Sequence, residues 1–82
     1  MSETLNKIRT DVVVRARKSE ELSQRISRAT KQFKKAFQNQ DVLLSDIYAT
    51  ELECLVESYE KNGKLLQESV AQLDGDDLHR WN

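Results

Sequence analysis

Apolar residues recur at alternating intervals of three and four along both halves of this 82-residue chain, a spacing that leaves little besides paired α-helices. In the first half the series is Leu5, Ile8, Val12, Arg15, Ser19, Leu22, Ile26, Ala29, Phe33 and Ala36, apolar at all but two positions. In the second it is Tyr48, Leu52, Leu55, Tyr59, Asn62, Leu66, Ser69 and Leu73, again with two polar exceptions. Proline is absent and glycine occurs twice, so nothing breaks either stripe except around Asn62-Gly63. The expected fold is all-α: a single antiparallel two-helix hairpin, coiled-coil-like, with helix 1 at about 3–38, a turn at about 39–41, helix 2 at about 42–73 and a tail over 74–82. Ser2 with Glu3 can cap the first helix, and Asp41 or Ser45 the second, since a side-chain oxygen satisfies the exposed N–H groups of a first turn.

Folding the chain back at Asn39-Gln40 tests the pairing, because an antiparallel register holds the sum of facing residue numbers constant. At one sum Phe33 meets Tyr48, Ala29 meets Leu52, Ile26 meets Leu55, Leu22 meets Tyr59 and Ile8 meets Leu73. The same sum brings Ser19 opposite Asn62 and Arg15 opposite Leu66, so the polar interruptions of the two stripes cluster. Two local signals compete with this layout. Asn62-Gly63 is a turn signal, and a chain that turned there would carry a short third helix through KLLQESVAQL; the unbroken phase of Leu66 and Leu73 favours one continuous helix. There Gly63 reads as a tolerated defect, or as a hinge or a place of close approach by a partner helix. Val12-Val13-Val14 favours a strand by propensity, but an isolated strand has no partner.

Charge divides the chain at the same place. Residues 1–40 hold ten Lys/Arg against four Asp/Glu and residues 41–82 three against ten, hence +6 and −7, summing to −1. The simplest expectation is that Lys and Arg of one helix lie beside Asp and Glu of the other and select this pairing. The alternative is a basic face for phosphates, built from Arg25, Arg28, Lys31, Lys34 and Lys35 with Phe33 and Phe37 between them. Net charge, the lack of a reader motif and the acidic half argue against nucleic acid. Membrane binding is disfavoured because the aliphatic stripe is taken up by the hairpin.

No catalytic constellation is present, and neither a cofactor nor a metal is expected. His79 is the one histidine, and the spacing of Asp74, Asp76 and Asp77 around it matches neither a zinc motif nor a calcium loop. Cys54 has no histidine near it in sequence and is expected to be a buried or half-buried structural thiol. With one cysteine, no apolar window of membrane length and no apolar run in MSETLNKIRT, a soluble cytoplasmic protein is expected.

The remaining signal is apolar residues that the stripes do not use: Val13, Phe37, Val42, Leu43, Leu44, Ile47, Val56, Leu65 and Val70. A two-helix hairpin has no third layer to cover them, so they are expected to meet another chain, a second copy or a different protein. A polar first helix such as ISRATKQFKKAFQ, a short junction, and a tyrosine-bearing second helix, SDIYATELECLVESYEKNGKLL, resemble the small co-chaperones of type III secretion needle subunits. That resemblance implies a cytosolic heterotrimer, in which this chain supports a helical-repeat chaperone and both keep the needle subunit unpolymerised. It carries over no site residue. On that reading the partner-binding residues are Phe37, Leu44, Ile47, Val56 and Leu65. The competing classes are a structural coiled-coil subunit of a larger assembly and a nucleic-acid-binding helical protein.

Overall fold

The computed structural model describes the backbone of residues 2–81 and the side chains of residues 3–73. Two helices, α1 (Ser2–Gln38) and α2 (Val42–Trp81), lie antiparallel as a rod 61 × 16 × 14 Å across. The first stripe faces α2 along its whole length: each of its ten positions is buried or half-buried. So is every position of the second stripe except Tyr59, which leans outward at 41% exposure. A ring with a hydroxyl to keep hydrated gains by doing so. The innermost packing is formed by Leu22, Ala29 and Leu55, with Ile26 and Leu52 against them.

The turn shows why the chain reverses at Asn39-Gln40. Gln40 adopts a left-handed conformation, φ 58°, and the Asp41 and Gln40 amides donate back to the Ala36 and Phe37 carbonyls at 2.9 and 3.1 Å. This is the Schellman arrangement, which satisfies carbonyls that the end of α1 would otherwise leave open. Asp41 then caps α2: its Oδ1 accepts the Leu44 amide at 3.1 Å, and its carbonyl accepts the Ser45 amide at 2.9 Å. Of the two candidate caps, Asp41 is the one used. Ser2 lies outside the described side chains.

As the phase of Leu66 and Leu73 favours, α2 passes through Asn62-Gly63 without a break, and the alternative of a short third helical segment after Gly63 does not form. Two expectations need correction. Helix α2 continues to Trp81, past the Leu73 boundary set by the last apolar residue of the stripe. Among the described residues no ion pair links the helices; the salt bridge formed is Arg15 to Asp11, one turn apart within α1, at 2.8 Å. The register explains this. Residues flanking the seam come level as Ala16 with Gly63, Ser23 with Val56, Thr30 with Ala49 and Phe37 with Val42 on one side, and as Lys18 with Leu65, Arg25 with Ser58 and Gln32 with Glu51 on the other. None is a pair of opposite charges.

Gly63 is half-buried, and a Cβ placed there would meet nothing within 4 Å. Its cost is therefore conformational freedom alone, and Gly63→Ala should raise the unfolding free energy of the hairpin by about 1 kcal/mol in urea titration followed by helicity.

Candidate functional site

The polar interruptions of the two stripes meet and hydrogen-bond. Asn62 Nδ2 donates across the seam to the Arg15 carbonyl at 2.8 Å and to Ser19 Oγ at 2.9 Å. Two turns further along α2, the buried Ser69 hydroxyl gives its single proton to Asp11 Oδ2 at 2.5 Å, with the Leu65 carbonyl 3.1 Å away. Arg15 Nε donates to the same carboxylate oxygen. The bond from Ser69 first, and that from Arg15 second, hold the Asp11 carboxyl below its ordinary value; partial desolvation opposes them and the Arg15 charge assists. No buried side-chain nitrogen or oxygen among the described residues lacks a partner. The layer is a register device: Asn62 reaches Ser19 only at the alignment that the apolar stripes also choose.

Apolar surface lies outside the seam. All nine unused apolar residues stand exposed, joined by Val14 and Tyr59, whereas the buried apolar residues among those described are Leu22, Ala29, Ala36 and Leu55. Part of the exposed set lies on the two long sides of the rod. On one, here termed the valine side, a shallow groove is lined by Phe33, Ala49, Leu52 and Val56 together with the acidic Glu53 and Glu57. Phe37, stacked on Phe33 at 6.2 Å between ring centroids, carries that surface to the turn, where it lines a hollow with Val42. Seven-residue spacing extends this side along α2 as Val42, Ala49, Val56, Gly63 and Val70, and along α1 as Ala16, Ser23, Thr30 and Phe37. These nine are uncharged, and the same step along α1 next reaches the exposed Arg9.

The opposite, leucine side starts from a hollow between Gln32, Ala36, Leu44 and Tyr48. The same spacing adds Leu65 from α2 and Lys18 and Arg25 from α1, with Ile47 further round toward solvent. The five candidate partner-binding residues are thus not brought together: Phe37 and Val56 belong to the valine side, Leu44 and Leu65 to the leucine side, and Ile47 lies beyond the latter. Sequence periodicity held the information that separates them, because Phe37 and Val56 each follow a seam residue whereas Leu44 and Leu65 lie on its other flank.

Cys54 is exposed, not buried or half-buried. It precedes Leu55, and the step of about 100° per residue that turns Leu55 inward turns Cys54 out. The basic run Arg25, Arg28, Lys31, Lys34 and Lys35 is exposed throughout, and acidic α2 does not pair with it. Among the described residues no cluster of His, Cys, Asp and Glu could hold a metal ion; Asp74, Asp76, Asp77, His79 and Trp81 lie outside the described side chains. No helix is long and apolar enough to cross a membrane among the described residues. Comparison with known proteins yields no match, whether to a family, to a characterised protein or to a solved structure.

Two substitutions test the polar layer. Asn62→Ala removes both cross-helix bonds and should cost about 0.5–1.5 kcal/mol of unfolding free energy, read from urea titration. Because the Asp11 carboxyl ionises more readily in the folded chain, its contribution is present above the ordinary carboxylate range and is lost as pH falls through the folded-state value. Asp11→Asn should therefore lose less thermal stability than the parent between about pH 5 and pH 2, compared by circular dichroism.

Proposed function

We propose that the chain is a non-catalytic protein-interaction module, a helical hairpin that supplies two layers to an assembly whose remaining layers come from elsewhere. The observation carrying this reading is the excess of large exposed apolar side chains over buried ones on a rod with no third layer. Covering such a side chain is worth roughly 1.5–3 kcal/mol, so an assembled state that covers several is strongly favoured by mass action. In its specific form the reading is a cytoplasmic co-chaperone: the hairpin binds a helical-repeat chaperone, and together they keep a type III secretion needle subunit unpolymerised. No bond-making chemistry is required, only that the complex be more stable than the cargo's own polymer.

The rod's 61 Å length also suits a second reading, a permanent coiled-coil subunit that spaces other components. The two differ in fate: a chaperone leaves its cargo, and a spacer remains in the finished structure.

Co-expression with a type III needle subunit and a helical-repeat chaperone is the direct test. The expected result is one complex containing all three chains in equal number, with the needle subunit soluble, and Ile47→Asp should weaken that complex at least about tenfold while leaving helicity unchanged. A needle subunit that polymerises equally with and without this chain overturns the co-chaperone reading. Recovery of the chain at fixed stoichiometry in a finished assembly would support the spacer instead.

A further inference from the structure

We propose that the valine side is the dimer interface of this protein, and that its occupant is a second copy of the same hairpin, related by a two-fold axis along the rod so that both turns lie at one end. This rests on the interaction-module reading above, and it assigns one of the two sides to self-association.

Extent is the first support. A side of the rod measuring 61 × 14 Å projects to roughly 850 Å², comparable to the roughly 800 Å² per partner of a standard stable interface. Along that length the two helices present Phe37, Val42, Val56 and Val70 with small residues between them, and the groove at Phe33 and Leu52 opens onto it. Between Ala16 and Phe37 on α1 and from Val42 to Val70 on α2 the central rows of two such sides meet without a charged residue, with Glu53 and Glu57 also lining the groove and Arg9 lying toward the end of the rod away from the turn.

Charge then chooses both the occupant and the symmetry. Acidic residues Asp46, Glu53 and Glu60, seven apart, border the valine side along α2. Two hairpins meeting through this side can be related by an axis along the rod or by one across it. The axis across it lays α2 on α2 and brings the acidic row against itself, while the α1 border, with Glu20 and Lys34, faces its own copy. The axis along the rod lays each α1 on the partner's α2, the combination that opposite net charges favour. It also preserves height, so that Lys34 comes level with Asp46 of the second copy, while Glu20 comes level with Glu60, the one like-charged meeting on this border. The product is a four-helix bundle whose neighbouring helices are all antiparallel. The leucine side stays uncovered, available to another protein.

Sedimentation equilibrium of the full chain, with a spin label at Asn39→Cys in a Cys54→Ser background, tests the proposal. The parent should sediment as a dimer, with label separation far below the 61 Å rod length because both turns share an end. Val56→Lys should raise the dimer dissociation constant more than tenfold, whereas Leu65→Lys should leave it unchanged. Glu20→Lys should tighten the dimer severalfold by placing Lys opposite Glu60, a variant that does not depend on disturbing apolar packing. A helical monomer at all concentrations overturns the proposal, as does a label separation near the rod length, or a dimer broken by Leu65→Lys and not by Val56→Lys. If the three-chain complex fails to form while the dimer persists, the co-chaperone role falls and this interface stands.

Discussion

Two helices can shelter from water only the stripe along which they touch, and every other property of this rod follows from that geometric limit. A stripe at intervals of three and four covers the inner third of each helix, and the remaining two thirds face solvent whatever residues they carry. Buried positions accordingly include alanine as often as leucine: Leu22, Ala29, Ala36 and Leu55 form the interior, and no side chain among those described is less than 2% exposed. With so thin a core, the hairpin depends on good helix formers, two well-made ends at the turn and a seam without errors. Conformational entropy is lost along the whole chain, while burial is gained along one line only.

A thin apolar seam also aligns itself weakly, since a slip by one heptad would still bring apolar residues together. The layer of Asp11, Arg15, Ser19, Asn62 and Ser69 resists such a slip. After a displacement of seven residues, Asn62 would face an apolar position and its amide would have neither the Arg15 carbonyl nor the Ser19 hydroxyl to meet. The polar residues that weaken each stripe in isolation therefore serve the pair, because an unmade bond in the wrong register costs more than the correct bond contributes. The turn acts in the same sense from one end: the left-handed Gln40 and the Asp41 cap fix how far apart the helices begin.

Much of this was legible in the sequence because it depends on spacing. The two stripes, the turn at Asn39-Gln40, the facing of Ser19 and Asn62 and the exposure of the unused valines and leucines all follow from periods of three and four and a constant register. Less legible was whatever depends on direction around the helix or on side-chain reach. Cys54 sits next to a seam residue in sequence yet points out, and Tyr59 occupies a seam position yet leans toward water. Asn62-Gly63 carries the composition of a turn, but Leu66 and Ser69 beyond it belong to the same seam as Leu55, and tertiary packing overrides the local preference. As for the candidate site, its residues were recognisable as surplus; their separation onto two sides needed the helices to be paired first.

The charge division is the clearest case of a correct observation with a different cause. Opposite net charges on the two halves suggest ion pairs across the seam, yet one flank holds Ala16, Ser23, Thr30, Val56 and Gly63, on the other Lys18, Arg25 and Glu51 come level with uncharged residues, and most of the remaining charges sit further round each helix. At that distance a pair of charges contributes little in water, so attraction between α1 and α2 within one chain is a weak, salt-screened field. The same outward charges border the sides on which another helix would lie, and there an acidic row and a basic helix distinguish one partner orientation from another. A separation of charge that does little for folding is thus well placed to act on assembly, where the choice among faces of similar apolar character has to be made.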